Sequence, residues 1–133
     1  MTDQTRYKGF KDLQCWQEAR ILRQQITATA KKFPAEEKYL LQQQMIRAAR
    51  SVTATIAEGY GRFTYADTRH FFIEARGSVA ELLDHLTVAE DDQYLLSEQL
   101  TKLEVQCEKV FKLINGYISY LDNQRKGNMP ANS

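Results

Sequence analysis

Histidine, cysteine and paired carboxylates are the side chains best suited to chemistry, and this sequence offers few of them. His70 and His85 are its two histidines. Both fall in one helical segment, roughly 22 Å apart at 1.5 Å per residue, too far to share a site. Glu74 follows His70 by four and Glu81 precedes His85 by four, the spacing of ordinary helix-surface pairs. A di-iron bundle needs Glu-x-x-His on two separate helices, and no other segment holds a histidine. Cys15 and Cys107 sit in apolar-periodic stretches with no ligand-like spacing and no base nearby in sequence, which reads as reduced thiols in a cytoplasmic protein. Gly59-Tyr60-Gly61 lacks the preceding strand and further glycines of a phosphate loop, and reads as a helix stop using a left-handed turn. No catalytic, metal or cofactor site is expected, and the chain is read as a non-enzyme.

Polar and charged patterning says more. Gln44, Arg47, Ser51, Thr55, Glu58 and Arg62 recur every three or four residues, so on a helix they form one polar stripe beside the apolar one. Arg76 and Glu81 border the apolar face of the following segment in the same way. Two readings stand side by side. Arg47, Glu58, Arg76 and Glu81 form a paired structural network, because charge near a core survives when paired; or some of these groups line a surface that meets a ligand.

Charge is also unevenly spread along the chain. Residues 1–62 hold 11 Lys/Arg against 6 Asp/Glu, whereas residues 63–122 hold 5 against 11. Arg20, Arg23 and Lys31 fall near one helix face outside the apolar stripe, and Arg50 joins them as a candidate phosphate contact. The alternatives are two solvated faces of opposite sign or a basic surface for a nucleic-acid backbone.

These groups must be positioned by helices. Leu13, Trp16, Ala19, Leu22, Ile26, Ala30 and Phe33 step by three and four, predicting a helix over 12–32 with Asp12 as N-cap. A second helix is predicted over 35–60, crowded with small residues. A third, capped by Thr64, spans 65–90; Gly77 inside it implies a close crossing, because a mid-helix glycine costs about 1 kcal/mol. A fourth over 97–121 carries Leu100, Leu103, Cys107, Val110, Ile114, Tyr117 and Leu121 in strict 3-4 alternation. Equal lengths and short connections make an all-α, antiparallel up-down four-helix bundle over 12–122. Residues 1–11 form an N-terminal arm and 123–133 a disordered tail. Phe71, Phe111 and Ile118 lie off the main apolar seams and are candidates for an oligomer interface.

Composition bounds the rest. At 133 residues, 43% hydrophobic and a net charge of +1, the chain suits one domain and excludes a strongly basic tail as its dominant feature. No apolar run reaches the roughly 18–20 residues of a membrane span, and Met1–Gly9 has no signal-peptide core.

The stretch from Gln44 to Arg62 resembles the signature Q-x-x-R-A-A-x-S-[IV]-x-x-N-I-A-E-G-x-G-R of bacterial four-helix-bundle proteins encoded in intervening sequences of large-subunit ribosomal RNA genes. Phe10-Lys11-Asp12-Leu13 with Trp16, Lys32-Phe33-Pro34, and Ile73 to Ser78 with Glu81-Leu82 extend the match over about residues 10–121. The departure is Thr55, where the family has Asn. The resemblance implies an antiparallel bundle assembled into a ring, commonly a pentamer. Accessory variability proteins of diversity-generating retroelements look like relatives, which implies nucleic-acid binding and a reverse transcriptase as partner. Two functions remain open: a nucleic-acid-binding or ribonucleoprotein accessory module, or a scaffolding ring that recruits proteins without nucleic acid.

Overall fold

The computed structural model describes residues 9–127, so most of the expected arm and the end of the expected tail lie outside the described residues. Four helices follow one another: α1 (Gln14–Ala30), α2 (Leu41–Tyr60), α3 (Tyr65–Asp91) and α4 (Ser97–Gly127). Short 3-10 turns at Phe10–Asp12 and Ala35–Glu37 precede α1 and α2. There is no strand among the described residues. Each helix packs its backbone against its two neighbours in a closed square, α1 on α2 and α4, α3 on α2 and α4. The result is a four-helix bundle around one apolar core.

That core is built from the periodic positions. Leu22 and Ile26 of α1, Met45, Val52 and Ile56 of α2, Phe72, Val79 and Leu82 of α3, and Cys107, Val110 and Ile114 of α4 are all fully buried. Phe72 stacks on Tyr117 with ring centroids 4.4 Å apart. Phe10 meets Trp16 edge-on at 5.2 Å and closes the core where α1 begins. Every α-helix presents apolar residues on one stripe, so burying four stripes together removes them from water at little polar cost.

The ends of the helices depart from the periodicity. Asp12 belongs to the first 3-10 turn and caps nothing; extended Leu13 stands at the N-cap of α1. Residues 35–40 are not α-helical, because Leu40 takes φ −118° and ψ −106°. Glu37 then accepts the Leu41 amide at 3.2 Å, supplying the start of α2 with a side-chain partner. Thr64 accepts the Asp67 amide at 3.1 Å and caps α3. At the other extreme, α4 runs through residues 123–127, where a disordered tail is expected from polarity. Two contacts account for the extra turns: Asp122 takes Arg69 at 2.9 Å, and the Arg125 guanidinium lies 4.8 Å over the Tyr65 ring.

Glycine also acts differently from expectation. Gly61 ends α2 at φ −83°, with no left-handed turn, and no described glycine has positive φ. A Cβ on Gly59 would lie 2.8 Å from the Phe71 Cβ, so α2 approaches α3 there too closely for any side chain. Gly77, which periodicity assigns to that crossing, faces open space. The one non-glycine residue at positive φ among those described is Gln93 (63°), which turns the chain between α3 and α4.

Candidate nucleic-acid interface

Three adjoining depressions run along the α1/α2 side of the bundle. Phe10, Trp16, Arg23, Arg50, Thr53, Ala54 and Ala57 line the first. Arg23, Gln24, Thr27, Ala28, Lys31 and Arg50 line the second. The third, over the outer face of α2, is lined by Lys38, Tyr39, Gln42, Gln43, Ile46, Arg47 and Arg50. Arg50 belongs to all three. None of the described residues lining them is acidic, while five are cationic: Arg23, Lys31, Lys38, Arg47 and Arg50. Small side chains at Ala28, Ala54 and Ala57 keep the floor low.

Of the four expected phosphate contacts, the fold therefore brings Arg23, Lys31 and Arg50 into one groove. Arg23 is half-buried and donates to the Thr53 hydroxyl at 3.0 Å, and that hydroxyl donates to the Arg50 carbonyl at 3.1 Å. These bonds fix the guanidinium without neutralising it. Arg20 lies over the Trp16 ring at 5.8 Å, beside the first depression. Lys31 and Arg50 are exposed.

The α3 side uses its charges on its own structure. Arg47 reaches across from α2 to Glu81 at 3.3 Å, and His85 meets the same carboxylate oxygen at 3.0 Å. The Ser51 and Ser78 hydroxyls bond at 2.9 Å across the α2/α3 seam, and the Thr55 hydroxyl donates to the Ser51 carbonyl at 2.7 Å. The other two members of the expected network go elsewhere: Glu58 pairs with Arg62, just beyond the end of its own helix, and Arg76 donates to the Asn115 side chain on α4 at 2.8 Å. A single four-residue network across α2 and α3 is thus replaced by three separate contacts. Residue spacing cannot tell which neighbour each side chain faces. Arg69 and Tyr65 both donate to Asp122, which holds that carboxyl below its usual range and raises the Tyr65 phenol.

Among the interface candidates, Ile118 is only 5% exposed and belongs to the core, which rules it out as a contact for a second subunit. The α4 stripe steps by four from Ile114 to Ile118 rather than by three to Tyr117, because an α-helix turns every 3.6 residues and drifts off a strict heptad. Phe111 is half-buried against the core. Phe71 is half-buried too, with the Arg62 guanidinium 4.8 Å over its ring.

Burial pushes the Cys15 thiol up to about 11 and the Cys107 thiol up to about 12, with Glu104 and Glu108 adding to the latter. Such thiols stay protonated at neutral pH and are poor nucleophiles. No group of three His, Cys, Asp or Glu among the described residues gathers closely enough to hold a metal ion. No helix among them is long and apolar enough to cross a membrane.

Fold and surface together define an all-α four-helix bundle whose α1/α2 flank gathers Arg23, Lys31, Lys38 and Arg50, none of them ion-paired among the described residues. The family model for the 23S rRNA-intervening sequence protein matches residues 11–116, and the chain belongs to that family. A crystal structure of a protein of unknown function from the S23 ribosomal protein family, from Bacteroides thetaiotaomicron, is similar in fold, with a TM-score of 0.74. It is 20% identical over 79% of this chain and 95% of its own. No curated protein matches the chain.

Sequence reasoning misses the Lys38–Tyr39 edge of the groove, although Tyr39, Gln43, Arg47 and Arg50 follow at helical spacing and were open to being found that way. It also misses Asn115 and Asp122, the partners on α4, for which no sequence signal exists.

Proposed function

We propose that the chain is a non-enzymatic, cytoplasmic nucleic-acid-binding subunit of a homo-oligomeric ring, serving as a ribonucleoprotein accessory module. The observation that carries the reading is the α1/α2 groove, where five cations line adjoining depressions and four of them, Arg23, Lys31, Lys38 and Arg50, have no carboxylate partner among the described residues, Arg47 being paired to Glu81. A phosphodiester backbone fits such a surface, because phosphates attract cations of any geometry and release condensed counterions on binding. The groove of one subunit meets only a few phosphates, and repetition around a ring multiplies the contacts. A pentamer is the number implied by the family resemblance. Exposed Ile21 on α1 with Val105 and Tyr120 on α4, together with half-buried Phe111, supply apolar surface for neighbouring subunits. Membership of a family named for a 23S rRNA intervening sequence accords with RNA as ligand.

The test is a gel shift with structured RNA and duplex DNA at about 50 and about 200 mM salt. Each phosphate neutralised adds roughly 0.7–0.9 to the slope of log affinity against log salt, so binding through several contacts falls steeply across that range. The double variant Arg23→Glu/Arg50→Glu weakens all sequences alike, since phosphate contacts carry no sequence information. Absence of a shift at about 50 mM salt overturns the reading. Light scattering that returns the 15.4 kDa monomer overturns the ring.

A further inference from the structure

The third depression differs from the other two, and we infer that it receives an unpaired nucleotide, so that the preferred ligand is a single-stranded segment rather than a duplex. This inference rests on the nucleic-acid reading above and names the substrate class of the same surface. Tyr39 stands where the chain enters α2 and is 76% exposed, an aromatic ring that the core does not use. The Lys38 ammonium lies 5.4 Å from its centroid, and Arg47 and Arg50 line the same depression about two and three turns further on. Gln42 and Gln43 stand between, and neither amide makes a side-chain hydrogen bond to another described residue. Ile46 supplies an apolar floor.

Phosphates alone explain the cations and leave the rest without a use. An exposed aromatic ring beside cations suits a base, because every base has a π-face that stacks and a phosphate that follows it. Glutamine amides offer both a donor and an acceptor to base edges. A duplex stacks its bases on one another and offers this surface little beyond phosphate, whereas an unpaired strand can lay a base on Tyr39 while its backbone follows Arg50 toward Arg23 and Lys31. Charge complementarity selects this occupant over a second protein, since Lys38 and Arg50 have no acid partner among the described residues, Arg47 alone being paired to Glu81, and no acid lines the depression among its described residues.

The experiment is fluorescence anisotropy of the full chain with an oligonucleotide of about 12 residues, single-stranded as RNA and as DNA, and with the corresponding duplex. The two sugars are compared directly, and the proposal stands on preference for either single strand over duplex. Tyr39→Ala is expected to weaken single-strand binding roughly 5–150-fold, the loss of one base–aromatic stack, with an unchanged salt slope. Tyr39→Phe keeps the stack and the affinity. Equal affinity for single strand and duplex overturns the inference. So does Tyr39→Ala binding within about twofold of the parent while Arg23→Glu/Arg50→Glu abolishes binding; the broader nucleic-acid reading then survives. A Tyr39→Ala chain that changes oligomeric mass overturns it in favour of a subunit contact. Failure of every oligonucleotide to bind removes the broader reading, and this one with it.

Discussion

The helix α2 has two flanks, and they are built on opposite plans. Toward α3 the backbones come close at Gly59, hydroxyls pair at Ser51 and Ser78, and Arg47 meets a carboxylate that also holds His85. The far seam of α3 continues the pattern, with Arg69 on Asp122. Toward α1 the surface opens into depressions whose cations have no carboxylate among the described lining residues. The difference teaches where to look for function on a helical bundle. Charge satisfied within the fold stabilises or orders the seam it spans; charge held in place by neutral partners, as Thr53 holds Arg23, keeps its field for something outside.

Both flanks share the core beneath them, and the largest effect is expected there. Ile56→Ala removes a fully buried side chain and is expected to cost about 2–5 kcal/mol in chemical denaturation. A neutral result would mean that α2 does not sit between the flanks as described. Next in size is the close approach itself: Gly59→Ala forces the Phe71 region to shift and is expected to destabilise by about 1–3 kcal/mol. Gly77→Ala is the control on the outer face of α3, where a Cβ meets nothing. It is expected to stabilise by about 0.5–1 kcal/mol, because Gly is the poorer helix former. If both changes have the same sign, the α3 seam is no tighter than the outside of the bundle.

Smaller effects separate the two uses of charge. Arg76→Met removes a donor from Asn115 and is expected to cost about 1 kcal/mol, whereas Arg50→Gln stays within about 0.5 kcal/mol. A larger stability loss for Arg50→Gln would make the α1 flank structural and erase the contrast. The last difference is visible only against pH. Hydrogen bonds from Arg69 and then Tyr65 lower the Asp122 pKa in the folded chain. Its stabilisation is therefore fully present above the unfolded value of about 3.9 and is lost as pH falls through the lowered folded value. Asp122→Asn is expected to flatten the acid limb of a stability–pH profile; an unchanged limb would show that the α4 carboxylate is not paired in solution.

What the sequence determined by itself is whatever repeats with the helical period. Leu22, Ile26, Val52, Ile56, Phe72, Val79, Val110 and Ile114 are legible as core from spacing alone, because a stripe must be buried whatever it meets, and four such stripes specify a bundle. The uneven charge between the two halves of the chain is legible in the same way. Tertiary structure decided what depends on a neighbour in space. Spacing places Gly77 at a crossing and Ile118 at an outer face, yet Gly59 makes the close approach and Ile118 enters the core, because the rotation of each helix about its axis is set by all the side chains packed against it. The turns of α4 beyond residue 121 rest on Tyr65 and Arg69, more than fifty residues away, and no local preference announces them. Likewise Arg23, Lys31 and Arg50 are separate basic residues in the sequence and one groove in the fold. Pairing α1 with α2 places their cations side by side, and only the packing of the two helices decides which faces meet.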